Sequence, residues 1–170
     1  KVKEISADAF PPKTLLNHIS SFKNDFLMPE DVKQEEIPYG HQHKAASLYP
    51  VYQAALKKNN ALDFDDLLVF AGRLFQEVPN LQRHYSEKFK YIMVDEFQDT
   101  NAAQYKLVRL LSETHKNICV VGDDDQSIYR WRGANIENIL KFENDYPGTT
   151  VIKLEENYRC SGRILAAAAG

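Results

Sequence analysis

Tyr91-Ile92-Met93-Val94-Asp95-Glu96-Phe97-Gln98-Asp99-Thr100 is the stretch that decides how this chain folds. A short apolar run leads straight into two adjacent carboxylates. The run reads as a buried strand and the acids as its C-terminal tip. Two acids side by side at such a tip repel each other, and a bound cation relieves the repulsion. One of them can hold Mg²⁺ while the other orients an attacking water, which is what a nucleotide-hydrolysing site needs. The bland alternative is a strand-to-helix turn whose acids cap the next helix. That reading accounts for part of Asp99-Thr100, and Asn101 with Gln104 offers a further cap.

Outward from this stretch, apolar runs and helical periodicities alternate. Downstream, a helix near residues 101–114 turns Leu107, Leu110 and Leu111 inward, and Ile118-Cys119-Val120-Val121 forms a second strand stopped by Gly122. A helix near 135–144 ends before Pro147-Gly148, and Thr150-Val151-Ile152-Lys153-Leu154 is a third strand. Upstream, Asp63 with Asp66 caps a helix whose apolar face is Phe64, Leu67, Leu68, Ala71, Leu74 and Phe75. Residues 1–60 read as helical and irregular. A helix starts near Pro12, residues 24–40 form a loop with one helical turn after Pro29, and a further helix is kinked or restarted at Pro50. Strands alternating with helices predict an α/β fold with a parallel sheet, whose chemistry lies at the carboxyl ends of its strands. Three polar tips, Asp95-Glu96, Gly122–Gln126 and Glu155–Arg159, are expected to converge on one edge.

The chain has 170 residues, 44% hydrophobic and 26% charged, as in ordinary globular proteins. Its formal net charge of -3 argues against a basic coat for nucleic acid, but leaves room for a local groove that binds bases by stacking. No apolar run reaches the length of a membrane span. Cys119 and Cys160 lack a paired metal-ligand spacing, and Cys119 reads as a small core residue; a reducing, cytoplasmic setting fits. A start without Met and an end in Ala166–Ala169 and Gly170 read as the boundaries of a piece of something larger.

Three further constellations carry chemistry. Gly122-Asp123-Asp124-Asp125-Gln126-Ser127 lacks EF-hand spacing, and its Gln126 is suited to sensing a phosphate or holding a water. Ile128-Tyr129-Arg130-Trp131-Arg132-Gly133 alternates rings and cations, a pattern that stacks on unpaired bases and meets phosphates. Its alternative is a core Trp between surface arginines. Glu155-Glu156-Asn157-Tyr158-Arg159 brings a guanidinium that can stabilise charge on a transferred phosphoryl group, or simply pair with its neighbouring acids.

Taken together, these stretches resemble the UvrD/Rep/PcrA-type superfamily 1 DNA helicases. Val94–Thr100 is similar to the family's Walker B motif, Val121–Ala134 to its third motif, and Leu154–Arg159 to its fourth. Asp63–Leu68 matches another stretch these helicases carry, and Ile19–Asn24 is similar to the helical insertion that precedes this part of the core. The resemblance implies a partial RecA-like P-loop NTPase sheet preceded by a helical subdomain. Residues 1–58 would be the helical insertion (1B-like, partial), 59–160 the C-terminal part of the first RecA-like domain, and 161–170 the start of the following helix.

The resemblance also implies roles. Asp95 would bind Mg²⁺ and Glu96 would activate the water. Gln126 would contact the γ-phosphate of ATP and couple it to DNA. Tyr129 and Trp131 would stack on single-strand bases, supported by Arg132. Tyr158 would stack on adenine and Arg159 would touch the γ-phosphate. The implied activity is 3′–5′ translocation and duplex unwinding driven by ATP, with single-stranded and duplex-junction DNA and the remaining helicase domains as partners. No Gly-x-x-x-x-Gly-Lys-Ser/Thr phosphate loop occurs in the chain, so the chain alone is expected to be inactive and to expose apolar surface open to self-association. A helicase–nuclease subunit shares these motifs, and a non-catalytic DNA-binding module is the alternative of another class.

Overall fold

In the computed structural model of the protein, residues 8–129 and 133–169 are described. The order is α1 (Pro12–Asn24), α2 (His41–Lys58), α3 (Phe64–Glu77), α4 (Pro79–Lys88), β1 (Ile92–Val94), α5 (Ala102–Ser112), β2 (Ile118–Val120), α6 (Glu137–Leu140), α7 (Phe142–Asp145) and α8 (Gly162–Ala169). The described residues are therefore mostly helical, around a two-stranded parallel sheet.

Local chemistry sets most of the helix starts. Pro occupies the first turn of α1, where its missing N–H costs nothing. Asp63 and Asp66 form a reciprocal capping box at α3, and Asn101 and Gln104 form another at α5. The loop before α2 holds a short 3-10 turn at Gln34–Glu36. α2 runs through Pro50 without restarting. The predicted helix near 135–144 is two short helices, α6 and α7, meeting at Lys141.

Three apolar clusters hold the elements. Leu15, Ile19 and Phe22 of α1 pack on Ala45, Ala46 and Tyr49 of α2. Met28, Val69 and Ala103 join α3 to α5. Phe97, Tyr105 and Phe142, with Val94, Ile118, Val120 and Ile139, form the core under the sheet. Between the first two clusters lies Lys23, fully buried, with its ammonium 2.6 Å from Asp63 Oδ2 and 2.8 Å from Asp66 Oδ1. One step on, Asn24 Oδ1 accepts from Asn101 Nδ2 at 2.8 Å. The C-terminus of α1 is thus pinned to the starts of both α3 and α5.

Several expectations need correcting. Residues 150–157 do not form a strand; Ile152 and Leu154 are 78% and 85% exposed, because no neighbouring strand pairs with this stretch among the described residues. The sheet is covered on one face only. Met93 pairs with Cys119, and both point to the open face, so Cys119 is exposed rather than a core residue. In α3 the buried line is Asp66, Val69 and Gly72, while Phe64, Leu67 and Leu74 of the predicted inward face are exposed. Two features choose that line: Asp66 pairs with Lys23, and Gly72 admits the Phe26 ring to within 2.6 Å of where a Cβ would stand. In α5 the buried positions are Ala103, Tyr105 and Ser112, with Leu107, Leu110 and Leu111 half-buried.

Candidate active site

The two strands run parallel in the register Val94↔Val120, so their C-terminal tips lie side by side. The pairing continues past the strands: Val121 N donates to Val94 O at 2.8 Å, and Phe97 N donates to Val121 O at 2.9 Å. This places Asp95-Glu96 directly against Gly122-Asp123. Two tips converge; the third predicted tip is absent along with its strand.

Phe97 anchors the first tip. It is fully buried, with edge-on ring contacts to Tyr105 and Phe142. The turn behind it is closed by Thr100 Oγ1 donating to Phe97 O at 2.7 Å, and Asn138 Nδ2 donates to Thr100 O at 3.0 Å. With Phe97 fixed inward, the residues before it must point outward. Asp95 and Glu96 are exposed. Glu96 adopts the left-handed conformation, φ 50° and ψ 42°, uncommon for a residue with a Cβ. Its N–H donates to Asp95 Oδ1 at 2.9 Å, and its own Oε2 accepts from Gln98 Nε2 at 2.7 Å. The left-handed turn separates the two carboxylates and gives each a different backbone or side-chain partner.

Gln98 is 1% exposed and spans the gap between the tips. While its Nε2 holds Glu96, its Oε1 accepts from Asp123 N at 3.0 Å. Gly122 makes this approach possible, since a Cβ there would lie 2.6 Å from Gln98 Oε1 and 2.8 Å from Ile139 Cδ1. On the second tip, Asp123 Oδ1 accepts from Asp125 N at 3.1 Å, and its Oδ2 accepts from Gln126 Nε2 at 2.7 Å. Gln126 is exposed at the end of a 3-10 turn. Sequence reasoning assigned Gln98 no separate role; its position between an acid pair and an inward Phe was the available signal.

This network links Glu96 to Gln126 by way of Gln98 and Asp123. Tyr158 and Arg159 do not join it: Tyr158 Oη donates to Glu156 Oε2, and Arg159 N donates to Asn157 Oδ1, all within one exposed stretch. Its hydrogen bond to the Glu156 carboxylate holds the Tyr158 hydroxyl above its ordinary pKa. Tyr129 ends the described part of its loop, and Trp131 and Arg132 lie outside the described residues. Among the described residues no cluster of three or more His, Cys, Asp or Glu is arranged to hold a metal ion. Asp95 alone suits a cation that arrives with most of its ligands, as Mg²⁺ does on nucleotide phosphates.

Residues 1–147 match the family described as the UvrD/REP helicase N-terminal domain. The chain belongs to this family. It is 50% identical over 168 residues to the ATP-dependent DNA helicase PcrA of Staphylococcus aureus, and equally to PcrA of Staphylococcus epidermidis. In each case the alignment covers 99% of this chain and 23% of the relative, so the chain spans about a quarter of the length of the curated relatives it matches. No described helix is long and apolar enough to cross a membrane.

Proposed function

We propose that this chain is the part of an ATP-dependent 3′–5′ DNA helicase that carries the hydrolytic half of the ATP site. In this reading residues 1–58 belong to a helical insertion and 59–160 to the first RecA-like domain. The observation that carries it is the juxtaposition of Asp95-Glu96 with the Asp123–Gln126 turn at the tips of two parallel strands. Similarity to helicases named PcrA supports it.

Each residue has a task that its surroundings suit. Asp95, exposed at the first tip, would hold Mg²⁺, which supplies neutralisation of the phosphate charge when bound. Glu96 accepts the proton of the attacking water through the carboxylate that Gln98 orients. Gln126 reads the γ-phosphate from the neighbouring tip. Arg159 meets the same phosphate and Tyr158 stacks on adenine once the 155–160 stretch is seated by the surfaces that complete the site. Tyr129, Trp131 and Arg132 follow Gln126 along one loop and grip single-stranded bases. Stacking contributes roughly 1–3 kcal/mol per base, so altering one stack with nucleotide state changes grip about five- to a hundred-fold.

Strand displacement by the full-length protein tests this reading. Unwinding of a duplex with a 3′ single-stranded tail in ATP and Mg²⁺, and none with a 5′ tail, is the expected result. Equal unwinding of both, or ATP-independent binding only, would contradict it.

A further inference from the structure

We propose that Gln98 is the positioning residue through which the state of the Gln126 turn reaches the catalytic carboxylate of Glu96. The inference rests on the site assignment above and adds a part to it. Three hydrogen-bond links run unbroken between the two tips. Gln98 Nε2 donates to Glu96 Oε2 at 2.7 Å, Gln98 Oε1 accepts from Asp123 N at 3.0 Å, and Asp123 Oδ2 accepts from Gln126 Nε2 at 2.7 Å.

The direction of the amide is dictated by chemistry. The Asp123 backbone N–H can only donate, so it takes the carbonyl end of Gln98. The NH₂ end is then committed to Glu96, an ionised acceptor, in a charge-assisted bond. Both ends of one planar group are engaged at once. Because Gln98 is 1% exposed, water does not replace either partner, and a bond lost at one end leaves a buried polar atom unsatisfied at a cost of about 1–3 kcal/mol. A shift of Asp123 therefore pulls the amide, and the amide carries the Glu96 carboxylate with it. Gly122 keeps the coupling tight, since any side chain there would occupy the space of Gln98 Oε1. Glu96, held in a left-handed turn, has its backbone placed and its carboxylate left to be aimed. The arrangement gives a motor what it needs: a general base correctly aimed only when the phosphate-reading turn is in one position.

The test uses the full-length protein with Gln98→Leu, Gln98→Glu and Asp123→Ala. Folding is checked by circular dichroism and melting temperature. For Gln98→Leu the expected result is a kcat for DNA-stimulated ATP hydrolysis lowered about ten- to a hundred-fold, with KM for ATP within about threefold of wild type. Gln98→Glu, nearly isosteric, lowers kcat at least as far with KM again little changed, because a carboxylate cannot donate to Glu96. Asp123→Ala, at an exposed position that leaves the core untouched, lowers the stimulation by DNA and decides the matter if both Gln98 variants fail to fold. Folded Gln98 variants with wild-type kcat would overturn the inference, as would a loss confined to KM or full stimulation in Asp123→Ala. A wild-type protein without DNA-stimulated hydrolysis would instead overturn the site assignment beneath it.

Discussion

Lys23 shows how one residue can decide where two helices meet. It has no solvent exposure, yet it carries a charge, and Asp63 and Asp66 surround it. Burial pushes the Asp63 carboxyl up, but the Lys23 ammonium, the Asp66 N–H and the Tyr52 hydroxyl outweigh it and hold its pKa below the ordinary value. Partial burial and its hydrogen bond to Asp63 push the Tyr52 hydroxyl up to about 12. A depressed acid contributes stability that is present above the unfolded carboxylate pKa and lost as pH falls through the native one. A raised phenol contributes stability that is present below its unfolded value and lost as pH rises towards about 12. Lys23→Met leaves two carboxylates facing each other with Asp66 fully buried, and is expected to cost about 3–5 kcal/mol. Urea unfolding at neutral pH measures this, and Met retaining wild-type stability would contradict it.

At the scale of elements, sequence and structure agree where a local rule is enough. The Pro at the start of α1 and the reciprocal caps of α3 and α5 are decided by residues within four positions of each other. The strands β1 and β2 were legible from apolar runs, and the adjacency of the Asp95-Glu96 and Gly122-Asp123 tips follows from their parallel register. What could not be read is which face of an element is covered. The periodicity of α3 offers a stripe through Phe64, Leu67 and Leu74, but the buried line is set by Lys23, forty positions from Asp63, and by the Phe26 ring at Gly72. The 150–154 run has strand composition, yet a strand exists only with a partner backbone beside it. Cys119 is not a core residue for a different reason: its strand is paired but alternates, and the face it occupies is open. That face makes a prediction of its own. In the 170-residue chain the Cys119 thiol is expected to react with a disulfide reagent without denaturant, and Cys119→Ser to remove the fast phase. A thiol that titrates only after unfolding would show that the open face is covered.

Over the whole molecule, surface outweighs interior. The chain exposes 12538 Å², where a compact monomer of its mass would expose about 8,500 Å². Phe64, Tyr91, Met93, Ile152, Leu154 and Tyr158 are among the large apolar side chains left exposed. These residues lie on α3, on the open face of the sheet, and along the stretch that bears Tyr158 and Arg159. Such surface is what a larger motor would cover, and it includes the elements that would complete the ATP site. The proposed function makes Glu96 the general base of that site. Steady-state ATP hydrolysis by the full-length protein, with and without single-stranded DNA, tests it most directly when wild type and Glu96→Gln are compared. DNA is expected to stimulate the wild type, and Glu96→Gln to lose about a hundredfold or more of kcat while still binding nucleotide. A Glu96→Gln protein that hydrolyses ATP at the wild-type rate would contradict it.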